Sequence, residues 1–158
     1  MADSRAILNN NLKCQTVTYL KQYQLIGTLL SDHSRIMVVD DEYDIVHVVR
    51  MYLEKWGYGV DTFTNPAFAF QSFKDHLNRY SLALVDIRMP EMSGIALAAM
   101  MLKVKPTMKI VIMTAYDIDP DNLAIDLPII KHSDILRKPF TLIQVCTAVQ
   151  KYLKRPQR

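Results

Sequence analysis

The sequence predicts an α/β protein in which helices cover both faces of a parallel β-sheet. Two observations predict this class. From residue 35 onward, short apolar runs alternate with segments of helical periodicity, which is the signature of βαβ units. Several of the apolar runs are almost unbroken, as expected for strands that are buried on both faces of a sheet.

Five runs are the predicted strands. They read, in chain order, RIMVV (35–39), GVDTF (59–63), SLALV (81–85), MKIVIM (108–113) and DILR (134–137). The first, third and fourth are the nearly continuous ones. We therefore expect these three strands to be buried on both faces.

Four apolar stripes with helical spacing predict helices between and after the strands. The first stripe, which ends before Gly57, comprises Ile45, Val48, Val49, Tyr52, Leu53 and Trp56. The second and weaker stripe comprises Phe70, Phe73 and Leu77. The third comprises Ile95, Ala98, Ala99 and Leu102, and the fourth comprises Leu142, Val145, Val149, Tyr152 and Leu153. Thr141 is a candidate N-cap for the last helix. The segment DPDNLAIDLP (119–128) has prolines at both ends of about two turns, so we expect a short or irregular element there.

Length and composition indicate one globular domain. The chain has 158 residues, of which 50% are hydrophobic and 22% are charged, and these are ordinary globular values. The net charge of +3 is small, and the basic end KRPQR (154–158) is interpreted as a solvated terminus rather than a nucleic-acid patch. Cys14 and Cys146 show no metal-ligand spacing and are interpreted as small hydrophobic residues.

Residues 1–34 do not belong to the alternating pattern. One interpretation is a partly ordered extension, or translated sequence ahead of a later start. The other is a helix that packs on the domain or pairs two copies of the chain, and both stay open. We therefore divide the chain into an N-terminal extension (1–34) and a domain (35–158). The sequence shows neither a long apolar segment nor a signal peptide, so we expect a cytoplasmic protein without membrane insertion.

Polar residues follow the predicted strands at a common edge. The first strand ends in Asp40 and Asp41, the third in Asp86, the fourth in Thr114 and the fifth in Lys138. Each has an ordinary explanation alone, since an acid after a strand is often a helix N-cap. Together they predict a crevice at the carboxyl ends of the strands, where open α/β sheets bind ligands.

The clustered acids predict a metal site, because burying like charges together is costly without a cation. Mg²⁺ prefers oxygen ligands and usually binds through one or two carboxylates plus phosphate oxygens. One carboxylate could then act as a nucleophile toward phosphorus and form an aspartyl-phosphate. A metal ion and a lysine would neutralise the phosphoryl oxygens.

Four motifs, VVDDE, LVDIRMPEMSG, VIMTAY and LRKPF, occur in this order and at these separations. Over about residues 35–153 the chain resembles the receiver domain of two-component response regulators. The resemblance implies a flavodoxin-like, doubly wound sheet of five parallel strands in the order 2-1-3-4-5. It also implies a phosphoryl group on Asp86, contacts to that group from Thr114 and Lys138, and a cis peptide bond before Pro139. The implied Mg²⁺ ligands are Asp41, Asp86, the backbone carbonyl of Arg88, and Asp40 acting largely through water.

The sequence departs from the family pattern near the predicted switch. Ile135 stands three residues before Lys138, where receivers often carry a Tyr or Phe that turns inward. Tyr116, two residues after Thr114, is a candidate to cover the site instead. Arg88 places a cation near Asp86 that could bind the phosphoryl group or limit access of water; the alternative is a solvated arginine.

These observations predict a phosphorylation switch rather than an enzyme that acts on a separate substrate. The expected donor is a histidine kinase or a phosphotransfer protein, and the expected output is contact with an unidentified protein target, without an output domain or nucleic-acid binding. A homodimer stays open. The alternative is a receiver-like scaffold or dimerisation module that does not depend on phosphate. An aspartate-dependent phosphatase or phosphotransferase is disfavoured, because such enzymes generally carry a second Asp where this chain has Arg88.

Overall fold

The computed structural model describes residues 35–115 and 134–153. Five strands form the centre: β1 (Arg35–Val39), β2 (Val60–Phe63), β3 (Tyr80–Asp86), β4 (Lys109–Thr114) and β5 (Ile135–Arg137). Four helices are described: α1 (Tyr43–Lys55), α2 (Pro66–Asp75), α3 (Gly94–Val104) and α4 (Leu142–Gln150). Every helix joins or follows strands in the alternation that the sequence predicts.

The strands form one parallel sheet in the order β2-β1-β3-β4-β5. This order confirms the predicted fold. The third strand is longer than predicted at both ends, because Tyr80 pairs with Arg35 and Asp86 pairs with Met113. Asp86 and Thr114 are therefore the last residues of β3 and β4 rather than the first residues of loops.

Two apolar cores lie on opposite faces of the sheet. Alternate residues of β1, β3 and β4 point to opposite sides, as the pleat requires. On one face Met37, Ala83 and Ile112 pack with α2 and α3. On the other, Ile36 and Leu84 pack with α1 and α4. The three central strands are thus buried on both faces, as their unbroken apolar runs predict.

Helix α1 is rotated from the predicted orientation. Val46, Val49 and Leu53 are the buried residues, whereas Val48, which the predicted stripe includes, is 47% exposed. Val46, Val48 and Val49 are equally apolar, so periodicity alone cannot choose between these faces. The prediction for α2 also needs correction, since the helix ends at Asp75 and Leu77 lies beyond it, 39% exposed.

Thr141 caps α4 as predicted. Its hydroxyl accepts a hydrogen bond from the Gln144 N–H at 3.3 Å, and the Gln144 side chain accepts one from the Thr141 N–H at 2.7 Å, which completes a capping box. Cys146 is buried in the core, as expected of a small hydrophobic residue. No helix within residues 35–115 and 134–153 is long and apolar enough to span a bilayer. Predictions on residues 1–34, Tyr116, the segment 119–128 and residues 154–158 concern parts of the chain outside those described.

Candidate functional site

An open cavity of about 250 Å³ lies at the carboxyl edge of the sheet. The structure brings the predicted strand-end residues together here. The lining includes Asp41, Asp86, Arg88, Thr114 and Lys138, and also Glu42. The site lies where β1 and β3 are neighbours and their following helices, α1 and α3, pack on opposite faces of the sheet. This is the switch point at which open α/β sheets bind ligands.

Lys138 is the central cation of the site. Its Nζ atom lies 2.7 Å from Asp40 Oδ2, 2.8 Å from Asp86 Oδ1 and 3.2 Å from Glu42 Oε1. The backbone beneath it is anchored, because the Lys138 N–H donates a hydrogen bond to the Thr114 carbonyl at 2.6 Å. The peptide bond between Lys138 and Pro139 is cis.

Asp40 is a fully buried carboxylate at the back of the site. Its Oδ1 atom accepts a hydrogen bond from the Glu42 N–H at 3.1 Å. The Oδ2 atom forms a close ion pair with Lys138, but the contact is not aligned as a hydrogen bond, and Oδ2 has no hydrogen-bond partner among the described residues. Burial raises the pKa of the Asp40 carboxyl above its ordinary value, although the Lys138 ammonium opposes this shift.

The charge of Lys138 is stabilised by the acids around it. Burial alone would lower its pKa, but the close contacts with the Asp40 and Asp86 carboxylates outweigh burial and raise the pKa above its ordinary value. The ammonium therefore stays protonated across the neutral pH range. It neutralises only part of the acid cluster of Asp40, Asp41, Glu42 and Asp86.

Asp86 is held by both of its carboxylate oxygens. Oδ1 faces the Lys138 ammonium at 2.8 Å, and Oδ2 accepts a hydrogen bond from the Arg88 N–H at 2.7 Å. The loop that supplies this N–H is fixed by a bond from the Gly94 N–H to the Ile87 carbonyl at 2.8 Å. The sequence singled out the carbonyl of Arg88 but did not predict this use of its N–H.

Thr114 and Ile135 lie beside the site on β4 and β5. Thr114 is buried and lines the cavity. Ile135 is half-buried, pairs in register with Ile112 and packs against the core on the α2 and α3 face. An aliphatic side chain therefore stands where the family often has an inward-turning ring.

Glu42 is the residue of this site that sequence reasoning missed. It is the third acid of VVDDE, and the sequence pattern predicts roles only for the first two. The structure makes it a partner of Lys138, 96 residues away in the chain. Such a contact has no local sequence signal.

The donor chemistry fits a hard divalent cation. Among the described residues no three His, Cys, Asp or Glu side chains are gathered into a ready-made metal cluster. The buried Asp40 Oδ2 without a hydrogen bond and the excess of carboxylates nevertheless favour a cation here. Mg²⁺ suits such a site, because it keeps several waters and needs only one or two direct carboxylates.

A parallel five-stranded sheet with these residues at its carboxyl edge defines a receiver-type domain. The chain belongs to the response regulator family: the family model described as the response regulator receiver domain matches residues 36–150. Members of this family act in phosphorylation-dependent two-component signalling. Receiver domains are signalling domains rather than enzymes with a separate substrate.

Curated relatives agree with this assignment. The chain is 34% identical over 122 residues to the response regulator receiver protein CpdR of Brucella abortus, covering 75% of this chain and 96% of CpdR. It is 30% identical to sporulation initiation phosphotransferase F of Bacillus subtilis, covering 77% of this chain and 94% of that protein. The match to the transcriptional regulatory protein ZraR of Escherichia coli spans only 19% of that longer protein.

Solved structures share the fold. A response regulator receiver domain protein from Clostridium thermocellum superposes with a TM-score of 0.67 at 28% identity, covering 77% of this chain and 95% of that one. The response regulator TrrA of Thermotoga maritima was solved in complex with Mg²⁺ and BeF. It has a TM-score of 0.65 at 31% identity, and the match covers 76% of this chain and 99% of TrrA.

Proposed function

We propose that this protein is a phosphorylation switch that accepts a phosphoryl group on Asp86 from a histidine kinase or a phosphotransfer protein. The observation that carries the proposal is the placement of Asp86 at an open cavity with the Lys138 ammonium 2.8 Å from its Oδ1 atom. A carboxylate oxygen of Asp86 attacks phosphorus. The bond to the donor histidine nitrogen breaks, and its electron pair stays on the imidazole.

Each neighbour has a distinct task in this transfer. Lys138 neutralises the charge on a phosphoryl oxygen, and the Thr114 hydroxyl donates a hydrogen bond to another. The Arg88 N–H orients Asp86 by holding its Oδ2 atom at 2.7 Å. The exposed Arg88 side chain lines the cavity, where it either pairs with the phosphoryl group or restricts water.

Asp41, Asp86 and the Arg88 carbonyl are the groups that would hold Mg²⁺ directly. Asp41 is exposed and lines the cavity, whereas Asp40 is buried behind it and would act largely through water. When bound, Mg²⁺ supplies charge neutralisation on the carboxylates and phosphoryl oxygens. Homologous support comes from TrrA, which was crystallised with Mg²⁺ and BeF.

We propose that the output is contact with a protein target. Support comes from the extent of the relatives, since the matches span 96% of CpdR and 94% of sporulation initiation phosphotransferase F. CheY of Borrelia burgdorferi, which is 21% identical and shares the fold, was solved in complex with a partner protein, CheX. Dimerisation through residues 1–34 and a cytoplasmic location stay predictions.

A receiver-like scaffold that works without phosphate is the second candidate. The observation that favours it is Ile135, because an aliphatic side chain packed into the core cannot reproduce the inward rotation of an exposed aromatic ring. The complete set of strand-end residues around Lys138 argues for the switch instead.

Intact mass after incubation with acetyl phosphate separates the two candidates. We expect one Mg²⁺-dependent phosphoryl adduct on the wild type and on Asp75→Ala, a control at an exposed acid on α2. Asp86→Ala should show none. No adduct on folded wild type that binds Mg²⁺ would support the scaffold.

A further inference from the structure

Glu42 immediately precedes helix α1, but its side chain does not cap the helix. It occupies the N-cap position with φ −82° and ψ 104°, and its side chain makes no capping hydrogen bond. Glutamate is a poor N-cap compared with Asp, Asn, Ser or Thr. The backbone of Glu42 is fixed by its bond to Asp40 Oδ1, so the side chain is available for another contact.

That contact is with Lys138. An ammonium has three N–H donors, and three carboxylates lie within 3.2 Å of Lys138 Nζ: Asp40, Asp86 and Glu42. The contact with Glu42 is aligned as a hydrogen bond, whereas the contacts with Asp40 and Asp86 are close ion pairs. A phosphoryl oxygen on Asp86 therefore competes with three carboxylates for the Lys138 ammonium.

The Glu42 contact is the one that releases at least cost. It is the longest of the three, and the Glu42 side chain is 63% exposed, whereas those of Asp40 and Asp86 are 0% and 7% exposed. A freed Glu42 carboxylate returns to water. A freed Asp40 carboxylate would stay buried without a countercharge, which is far more costly.

We infer that Glu42 is a positioning residue that restrains Lys138 in the unphosphorylated site and releases it to the phosphoryl group. The inference rests on the proposed function, because it presupposes transfer to Asp86. Weakening the restraint leaves Lys138 free sooner, so phosphorylation becomes faster. Because an exposed ion pair of this kind is weak, we expect its loss to raise the rate of phosphorylation by about two- to fivefold.

Two variants separate the contact from the charge. Glu42→Asp keeps the charge, but its carboxylate is one methylene shorter and at an N-cap is drawn to the first-turn N–H groups of α1. Glu42→Gln keeps the length and removes the charge. Glu54→Asp is the control, since Glu54 lies on the same helix and pairs with Arg50 at 2.9 Å, away from the site.

The experiment measures the initial rate of adduct formation by intact mass, with acetyl phosphate and with the less negatively charged donor phosphoramidate. We expect both Glu42 variants to be about two- to fivefold faster with either donor, and Glu54→Asp to match the wild type. The Mg²⁺ concentration that gives half-maximal rate should change by less than about twofold in Glu42→Asp, because its charge is retained.

Several outcomes overturn the inference. If only Glu42→Gln is faster, or the gain appears only with acetyl phosphate, Glu42 acts through its overall charge. If both variants are unchanged or slower, Lys138 is not restrained. A large loss of Mg²⁺ affinity in Glu42→Asp would make Glu42 a metal ligand. Wild type that takes up no phosphoryl group, or Asp86→Ala that still does, refutes the proposed function itself and the inference with it; the other outcomes refute the inference alone.

Discussion

Gly94 and Asp86 are in direct backbone contact: a Cβ atom at Gly94 would lie 1.9 Å from the backbone carbonyl oxygen of Asp86. The same glycine donates its N–H to the Ile87 carbonyl at 2.8 Å. Helix α3 therefore starts against the backbone that carries the proposed phosphoacceptor. Any side chain at residue 94 must displace either the helix or that loop.

Gly94→Ala should lower the free energy of unfolding by about 2 to 3 kcal/mol, as expected for overpacking against rigid backbone. It should also slow phosphorylation, because the Arg88 N–H would no longer orient Asp86. Gly59→Ala is the matched control. Its Cβ would meet the end of the flexible Arg35 side chain at 2.8 Å, so we expect a smaller loss. Urea denaturation and the adduct rate check both effects, and equal losses in the two variants would contradict this packing argument.

Asp40→Asn should stabilise the metal-free protein while abolishing its response to Mg²⁺. Burial raises the pKa of Asp40, so the stability it contributes is complete below the unfolded pKa of 3.8 and is lost as pH rises through the folded value. At neutral pH its charge is therefore a cost, and Asn removes that cost. The measurement is Tm with and without Mg²⁺, which stabilises any protein that binds it in the folded state. Asp75→Asn should behave as wild type, and a Mg²⁺-dependent rise in Tm of Asp40→Asn would oppose a metal role for Asp40.

Asp61 should make stability depend on pH in the acid range. Burial alone would raise its pKa, but Arg35 and then Arg79 outweigh burial and lower the pKa to about 2. The stability that it contributes is thus present above the unfolded pKa of 3.8 and is lost as pH falls toward about 2. At neutral pH the contribution is about 2 kcal/mol.

Asp61→Asn tests this sign. The difference in unfolding free energy between wild type and variant should be about 2 kcal/mol at neutral pH and should shrink as pH falls below about 4. Urea denaturation across this range measures it, with Asp75→Asn as the control. A difference that stays constant with pH would show that the carboxylate charge is not what Arg35 and Arg79 stabilise.

Ile135→Ala should show whether phosphoryl uptake at Asp86 depends on the side chain at the predicted switch position. The half-buried side chain packs on the α2 and α3 face, so its removal should cost about 1 to 2 kcal/mol of stability, less than for a fully buried isoleucine. Phosphoryl uptake should stay largely intact, because Ile135 does not line the cavity. Loss of uptake in a folded variant would show that site and switch are not separable here.

The strand-end residues were predictable because the order of residues in the chain shows which end of each predicted strand is its carboxyl end. A parallel sheet brings the carboxyl ends of its strands to one edge, so Asp40, Asp86, Thr114 and Lys138 had to converge once the strands were recognised. The orientation of α1 was not predictable. Val46 and Val48 are equally apolar, but Val46 is buried whereas Val48 is 47% exposed, and only the packing of α1 on the sheet distinguishes them.

Contacts between distant segments were also beyond the sequence. Asp61 bridges Arg35 and Arg79, which are separated from it by 26 and 18 residues. Apolar periodicity does not predict such ion pairs, because they form between residues at the starts of strands that become neighbours only in the folded sheet. The sequence showed the charges of these residues without their partners.

Apolar periodicity and four ordered motifs are local properties of the chain, so the sequence alone was enough to predict the α/β class, the five strands, the family and the identity of the strand-end residues. Three relationships came from the folded chain alone: Lys138 meets a third carboxylate on Glu42, Asp40 keeps a buried oxygen without a hydrogen bond, and the start of α3 leaves no room for a side chain at residue 94. These relationships depend on distances of a few ångströms between segments far apart in the chain. Packing sets such distances, and no local pattern encodes them.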